Sequence, residues 1–178
     1  MNRHNAKMNA FALQLLEPAV SDSILEIGFG GGLNLPLLIE KAGFVGGVDR
    51  SSSMVRQAAT RFSGVVAAGK AVFRESVVEA LPFEPASFDK ICTVNTIYFW
   101  SSLDAGFAEI YRVLVRGGRA IVGFLPKDWM DQGGFPPDIF TSRTVDDVLA
   151  AARKAGFMDL RVERPQPTTR WVVMVGQK

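Results

Sequence analysis

Along the chain, short apolar runs rich in β-branched residues alternate with longer segments in which apolar positions recur every three or four residues. The short runs read as strands: Ser23–Ile27, Phe44–Val48, Ala71–Phe73, Phe88–Val94, Ala120–Phe124, Phe157–Glu163 and Arg170–Val175. The longer segments read as helices. One precedes the first strand, carries Phe11, Leu15 and Leu16 on one face, and stops at Pro18. Leu33–Lys41 follows with Pro36 in its opening turn, and a third runs from about Met54 to Phe62 with Ser51, Ser52 and Ser53 as a choice of N-caps. Ser101–Val115 places Leu103, Phe107, Ile110, Tyr111 and Leu114 on one face, with Gly117-Gly118 read as its end. Thr144-x-x-Asp147, a near capping box, opens a last helix that ends at Ala155-Gly156.

Strand and helix in alternation predict an α/β fold around a mostly parallel sheet. The last two strands are joined through Pro165-Gln166-Pro167, a connection of hairpin length, so an antiparallel pair should close one edge. With 178 residues the chain suits a single domain spanning 1–178. Hydrophobic residues at 48% and charged residues at 21% argue against a disordered chain. The balance of 20 basic and 18 acidic residues, a formal charge of +2 without a long basic run, argues against a nucleic-acid or anionic-membrane partner. Cys92 and His4 are the single cysteine and histidine, so no disulfide and no metal site are expected. No apolar run reaches the ~18 residues of a bilayer span. Asn2, Asn5, Gln14 and Glu17 interrupt any signal-peptide core, and the expectation is a soluble cytoplasmic protein.

Glu26-Ile27-Gly28-Phe29-Gly30-Gly31-Gly32 lies directly between the first strand and the first following helix. Glycines there allow a tight turn and a close approach of main chain to ligand. Asp49 stands 21 residues after Gly28 at the end of the second strand, where a carboxylate accepts hydrogen bonds from the two hydroxyls of an adenosine ribose. The same residues also fit a plain glycine turn, with Asp49 capping the next helix. A dinucleotide fingerprint starting at Gly28 requires glycine at position 33, which is Leu33; the spacing is instead Glu-x-Gly-x-Gly-x-Gly.

On these residues the chain resembles the class I S-adenosylmethionine-dependent methyltransferases, of the small-molecule, methyltransferase-11-like type. Further segments resemble that family in order: Gly47-Val48-Asp49-Arg50-Ser51, Leu81-Pro82-Phe83 with Ser87-Phe88-Asp89, Tyr111-Arg112-Val113-Leu114 with Gly117-Gly118-Arg119, and Ala155-Gly156-Phe157. The resemblance implies a Rossmann-like, doubly wound seven-stranded sheet of order 3-2-1-4-5-7-6 with strand seven antiparallel. It implies S-adenosylmethionine as cofactor. The main chain at Gly28 and Gly30 would meet its methionine part, and Glu26 would orient the loop or the amino group. Asp49 would hold the ribose, and Arg50 and Met54 would lie near the adenine. Phe29 fills a slot often small in the family, and its ring should turn onto the next helix. The family's adenine-binding Asp falls at Val77, or at Ser76 with a one-residue slip, so that carboxylate is missing or moved.

The acceptor is expected beyond strand four, where Asn95 and Thr96 offer polar groups, Tyr98 and Trp100 offer aromatic walls, and Asn95 also borders the cofactor. Tyr98, Phe99 and Trp100 cannot all face one way, so at least one should line the pocket and the others pack inward. Asn95-Thr96-Ile97-Tyr98 lacks the paired prolines usual in DNA and protein-amide methyltransferases, and Cys92 reads as an inert core thiol. A small organic acceptor, methylated by in-line displacement, remains by elimination. A non-catalytic cofactor-binding module and a nicotinamide-dependent oxidoreductase stay as alternatives. Residues 1–20 read as a helical cover, with Arg3-His4-Asn5 either an ordinary terminus or part of that cover. Residues 125–143 read as a lid loop in which Trp129, Phe135, Pro136 and Pro137 close over the acceptor. Arg112, Arg116 and Arg119 should complement the dipole of the long helix. A monomer or a homodimer is expected.

Overall fold

A computed structural model describes residues 3–178, with side chains from residue 6 onward. The expectation for the Arg3-His4-Asn5 side chains therefore falls outside the described residues. Seven strands form one sheet: β1 (Ser23–Ile27), β2 (Phe44–Asp49), β3 (Ala71–Glu75), β4 (Phe88–Val94), β5 (Leu114–Phe124), β6 (Met158–Glu163) and β7 (Val172–Gln177). Their order is β3-β2-β1-β4-β5-β7-β6, and only β7 runs against the rest. Fold class, strand number and order all agree with the expectation.

Helices cover both faces, which is why the central strands read as continuous apolar runs. Four lie on one face: α1 (Arg3–Leu16), α2 (Leu35–Lys41), α3 (Ser52–Arg61) and α4 (Ser63–Ala67). There Met8, Ala12, Leu13 and Leu16 of α1 share a core with Ile24, Leu38, Cys92, Ile121 and Val173. The opposite face carries α5 (Leu103–Val113), the single-turn α6 (Lys127–Met130) and α7 (Val145–Ala155) over Leu25, Phe88, Ile91 and Val122.

Local chemistry sets the boundaries. Ser51 Oγ accepts from the Met54 amide, so α3 begins two residues earlier than the periodicity suggests. Thr144 and Asp147 complete a reciprocal capping box, and α7 stops at Gly156 with φ +107°. Two expectations are corrected. The helix α5 ends at Val113, because Leu114 is already extended and begins β5; Gly117 and Gly118 lie within that strand. A Cβ on Gly118 would come 2.9 Å from the Asp89 carbonyl oxygen, where the β4–β5 register shifts. Arg119 does not serve α5: it donates to the Leu15 carbonyl and the Glu17 carboxylate, closing the end of α1. The Phe29 ring lies over Gly47 of β2 and meets Phe73 edge-on at 5.6 Å, in the core that Leu35 and Leu38 of α2 share.

The Leu81-Pro82-Phe83 segment is held by α5. Glu109 accepts from the Leu81 amide, and Arg112, paired with Glu109 at 2.6 Å, donates to the Leu81 and Phe83 carbonyls. Asp89 accepts from the Ser23 amide at 2.8 Å, tying β4 to the first residue of β1.

Paired glycines in β2 admit rings from both faces: a Cβ on Gly46 would lie 2.8 Å from Phe88 Cζ, and one on Gly47 would lie 2.7 Å from Phe73 Cδ1. Gly46→Ala should therefore destabilise the protein by ~1–3 kcal/mol through overpacking. Gly64→Ala, whose new methyl would meet nothing within 4 Å, should be neutral or stabilising by up to ~1 kcal/mol, since α4 is helical there. Chemical denaturation of the two variants beside the parent checks the pair.

Candidate active site

In an open α/β sheet the strand order reverses at one crevice, and ligands bind there beyond the carboxyl ends of the strands. Here the reversal falls between β1 and β4. A cleft of about 710 Å³, counted to its open mouth, lies at that point. Its walls come from the ends of β1, β2 and β4 and from the turn after β3.

The floor is the glycine loop. Gly28, Gly30 and Gly32 all have positive φ, at +71°, +50° and +68°. At Gly28 the reason is also steric, because a Cβ would stand 2.3 Å from Thr96 Cγ2. The Gly28 amide donates to the Val48 carbonyl and the Gly30 amide to Asp49 Oδ2, both at 2.7 Å. These two amides therefore brace the loop against β2. What Gly30 presents outward is bare main chain, with no atom within 4 Å of a Cβ built on it.

Asp49 is 7% exposed and lines the cleft. Besides holding Gly30, it accepts from the Ser51 amide through Oδ1 at 2.9 Å. Its own carbonyl receives the Ser76 amide, so one residue joins loop, helix start and neighbouring strand. Ser76 and Val77 both line the cleft, as expected from the sequence, and Val77 is half exposed there. Two positions on, Glu79 also lines the cleft, so a carboxylate does stand beyond β3. Its Oε1 accepts from the Ser101 amide at 2.6 Å and from the Ser102 amide at 3.3 Å, which anchors the entry to α5.

The fourth wall follows β4. Asn95 sits in a left-handed conformation, φ +59°, and lines the cleft. Thr96 joins a directed chain of hydrogen bonds. Trp100 Nε1 can only donate, and it meets Thr96 Oγ1 at 3.2 Å; Thr93 Oγ1 donates to the Ile27 carbonyl, so the hydrogen between the two threonines comes from Thr96. That chain fastens the β4 loop to the end of β1. Trp100 lines the cleft while packing on Phe107 and over Gly106. Tyr98 corrects its expectation: it is buried, is absent from the cleft walls, and its hydroxyl accepts from the Leu125 amide while donating to Asn95 Oδ1. Phe99 takes the exposed place, because the single helical turn Ile97–Phe99 rotates consecutive side chains apart.

Two cofactor-side candidates behave differently. Arg50 lines the cleft, its guanidinium 5.5 Å from the Phe99 ring centroid. Met54 does not; it packs against the core under α3. Glu26 lies beneath the loop, 5% exposed, on the face covered by α1. Its Oε1 accepts from Asn34 Nδ2 at 2.8 Å, and its Oε2 is buried with no partner. Burial first, then the neighbouring Asp49 charge, push this carboxyl up to about 8, against the lowering effect of Asn34. Burial pushes Tyr98 up to about 12 and holds the Cys92 thiol well above its usual range. Neither is a base near neutral pH. Among the described residues no group of three His, Cys, Asp or Glu side chains could hold a metal ion.

The segment expected to form a lid is partly helical, with α6 and a turn at Asp131–Gly133. Trp129 points away from the cleft, its ring under Arg170 at 4.9 Å. Phe140 instead packs behind the cleft wall, 5.1 Å from Phe99 and 6.2 Å from Tyr98 between ring centroids, while the Thr141 amide donates to the Tyr98 carbonyl. Sequence periodicity carries no signal for Phe140, Phe99 or Glu79, because each is placed by a single turn.

Residues 25–122 match the family described as "Methyltransferase domain". An uncharacterised methyltransferase of Bacillus subtilis, YdaC, is 30% identical over 165 residues, covering 92% of this chain and 86% of that protein. The 18S rRNA (guanine(1575)-N(7))-methyltransferase of Saccharomyces cerevisiae is 29% identical over 85% of this chain, which spans 53% of that protein. The crystal structure of Bacillus subtilis YcgJ superimposes with a TM-score of 0.80 at 16% identity, over 97% of this chain and 98% of that one. The nicotinamide alternative falls away. With the strand order, the glycine loop and the acid at the end of β2, these matches establish that the chain belongs to the class I S-adenosylmethionine-dependent methyltransferases.

Proposed function

We propose that this enzyme transfers the methyl group of S-adenosylmethionine to a small organic acceptor entering beside Asn95 and Phe99. The observation that carries the reading is the pairing of two carboxylates, Glu26 with a buried, unpartnered oxygen and Asp49 on the cleft wall, at the loop a cationic cofactor would approach. An orphaned buried oxygen costs about 1–3 kcal/mol unless a donor satisfies it. The methionine ammonium is such a donor, and Gly30 presents open main chain to the cleft above it.

When bound, S-adenosylmethionine supplies a methyl group already activated on a sulfonium. The chain's own residues then bind, orient and exclude water. Gly28 and Gly30 shape the floor, and Asp49 accepts from the ribose hydroxyls with the lone pairs left over from Gly30 and Ser51. Val77 lays its side chain against the adenine, with Ser76 and Arg50 at its edges. Met54 acts at a distance, by supporting α3. Asn95 orients the acceptor, backed by Tyr98, while Trp100 is a wall fixed by Thr96. The two carboxylates of the cleft, Asp49 and Glu79, are engaged by main-chain amides, so the acceptor brings an available lone pair and the site provides alignment. The whole chain acts as one domain, with α1 and residues 125–143 as covers.

A small acceptor is supported by the modest charge of +2 and by basic side chains engaged in pairs, Lys90 with Asp22 and Arg119 with Glu17, each at 2.8 Å. The similarity to an rRNA methyltransferase favours a second reading, an RNA acceptor. Release of S-adenosylhomocysteine with a panel of small amines, phenols and thiols, against structured RNA, separates them; turnover on RNA alone would overturn the small-molecule reading.

Asp49→Ala should weaken S-adenosylhomocysteine binding about 10- to 100-fold in calorimetry, since it removes acceptors for both ribose and loop. Phe140→Ala should raise the acceptor KM several-fold with cofactor affinity unchanged, whereas Trp129→Ala should alter neither in steady-state kinetics. Glu26 carries a pH signature. Its carboxyl lies near 8 in the folded protein against 4.5 as its ordinary value, so the native state keeps a proton that the unfolded chain loses between those pH values. Its contribution to stability is therefore complete below about 4.5 and lost as pH rises through 8. Ligand-free Glu26→Gln should lack this loss and exceed the parent above pH 8 by on the order of a few kcal/mol. Thermal denaturation of both proteins across the range checks it.

A further inference from the structure

Asparagine at the residue before a helix ordinarily turns its side chain onto the helix's own first amides. Asn34 holds that position ahead of α2, yet makes no such cap, although its carbonyl receives the Leu38 amide. The side chain instead turns inward, 2% exposed, and Nδ2 donates twice: to Glu26 Oε1 at 2.8 Å and to Asn9 Oδ1 at 2.7 Å. An amide nitrogen carries two hydrogens, so both are engaged. The plane of the Asn34 amide is thereby set from two sides, by β1 and by α1.

This arrangement decides which Glu26 oxygen is available. Rotation about the last torsion of a glutamate is soft and would swing the carboxyl plane. The Asn34 donor pins Oε1 and leaves Oε2 as the buried oxygen without a partner. Other titratable groups acting on Glu26 are acidic or neutral: Asp49 at the end of β2, and the buried Cys92 thiol on β4. Among the described residues no cationic side chain acts on Glu26, so a ligand ammonium would meet a carboxyl that no protein cation has claimed and would favour its ionised form.

We propose that Asn34 is a positioning residue for the cofactor: anchored by Asn9 of α1, it aims Glu26 Oε2 at the ligand's α-ammonium group. This rests on the reading above that Glu26 faces that group. Because Asn9 belongs to α1, seating of this helix and grip on the amino-acid end of the cofactor are coupled, and coupling of this kind acts equally in both directions.

The test compares two ligands, S-adenosylhomocysteine and 5′-methylthioadenosine, which share the nucleoside but differ in that the second lacks the amino-acid group. Calorimetry of the full chain should show Asn34→Ala weakening S-adenosylhomocysteine about tenfold, with 5′-methylthioadenosine unchanged within about twofold. Asn9→Ala should act in the same sense by about threefold, and it decides the matter if the Asn34 variant does not fold. Equal losses for both ligands would mean a purely structural role and would overturn the proposal; so would no loss for either. Glu26→Gln separates the two readings. If it fails to discriminate between the ligands, the assignment of Glu26 itself is wrong. If it discriminates and the asparagine variants do not, only the relay is wrong.

Discussion

The site depends on the carboxylate of Asp49 being held between two main-chain amides. Gly30 reaches Oδ2 from the loop after β1, and Ser51 reaches Oδ1 from the start of α3. A flexible glycine loop would lose considerable conformational entropy on being ordered by a ligand. Here that ordering is done by the protein, with charge-assisted hydrogen bonds in a nearly buried place. The residue proposed to meet the ligand is thus also the residue that shapes the floor beneath it. Any change at Asp49 alters both together.

The second brace runs across the switch point. Trp100, Thr96 and Thr93 pass hydrogen bonds in one direction to the Ile27 carbonyl, and Thr96 fills the space that a side chain at Gly28 would need. The glycine at position 28 and the threonine at 96 are one steric decision. Together with Glu79, which holds the Ser101 and Ser102 amides, they lock the three loops around the cleft to each other. In a methyl transfer that depends on alignment, such rigidity is the protein's main contribution.

Segments that mark the family by resemblance turn out to have structural duties. Leu81-Pro82-Phe83 is clasped by Glu109 and Arg112 of α5, and Asp89 fastens the first residue of β1. They place the turn after β3 and the start of β4 without touching the cleft. Val77, where the family's adenine carboxylate is expected, is a half-exposed apolar wall, and the nearest acid along the turn is Glu79. On the proposed reading, the polar recognition of the nucleoside is concentrated at Asp49.

The strand order came through the family resemblance; the strands themselves, the glycine loop and Asp49 were legible in the chain itself. Each rests on a local signal: apolar runs bounded by glycine, the backbone freedom of residues without a Cβ, and an acid at a strand end. Asn95 was legible from its place just beyond the fourth strand, whereas Arg50, Ser76 and Val77 were placed through the family resemblance. Tyr98 against Phe99, Trp129 against Phe140, and the turn of Met54 toward the core were decided by tertiary structure alone. One helical turn after β4 chooses which ring faces the cleft, and the path of residues 125–143 over Tyr98 chooses which aromatic packs behind it. The Asn9–Asn34–Glu26 link joins three elements distant in sequence. No periodicity encodes it, because it exists only once α1 lies across the sheet.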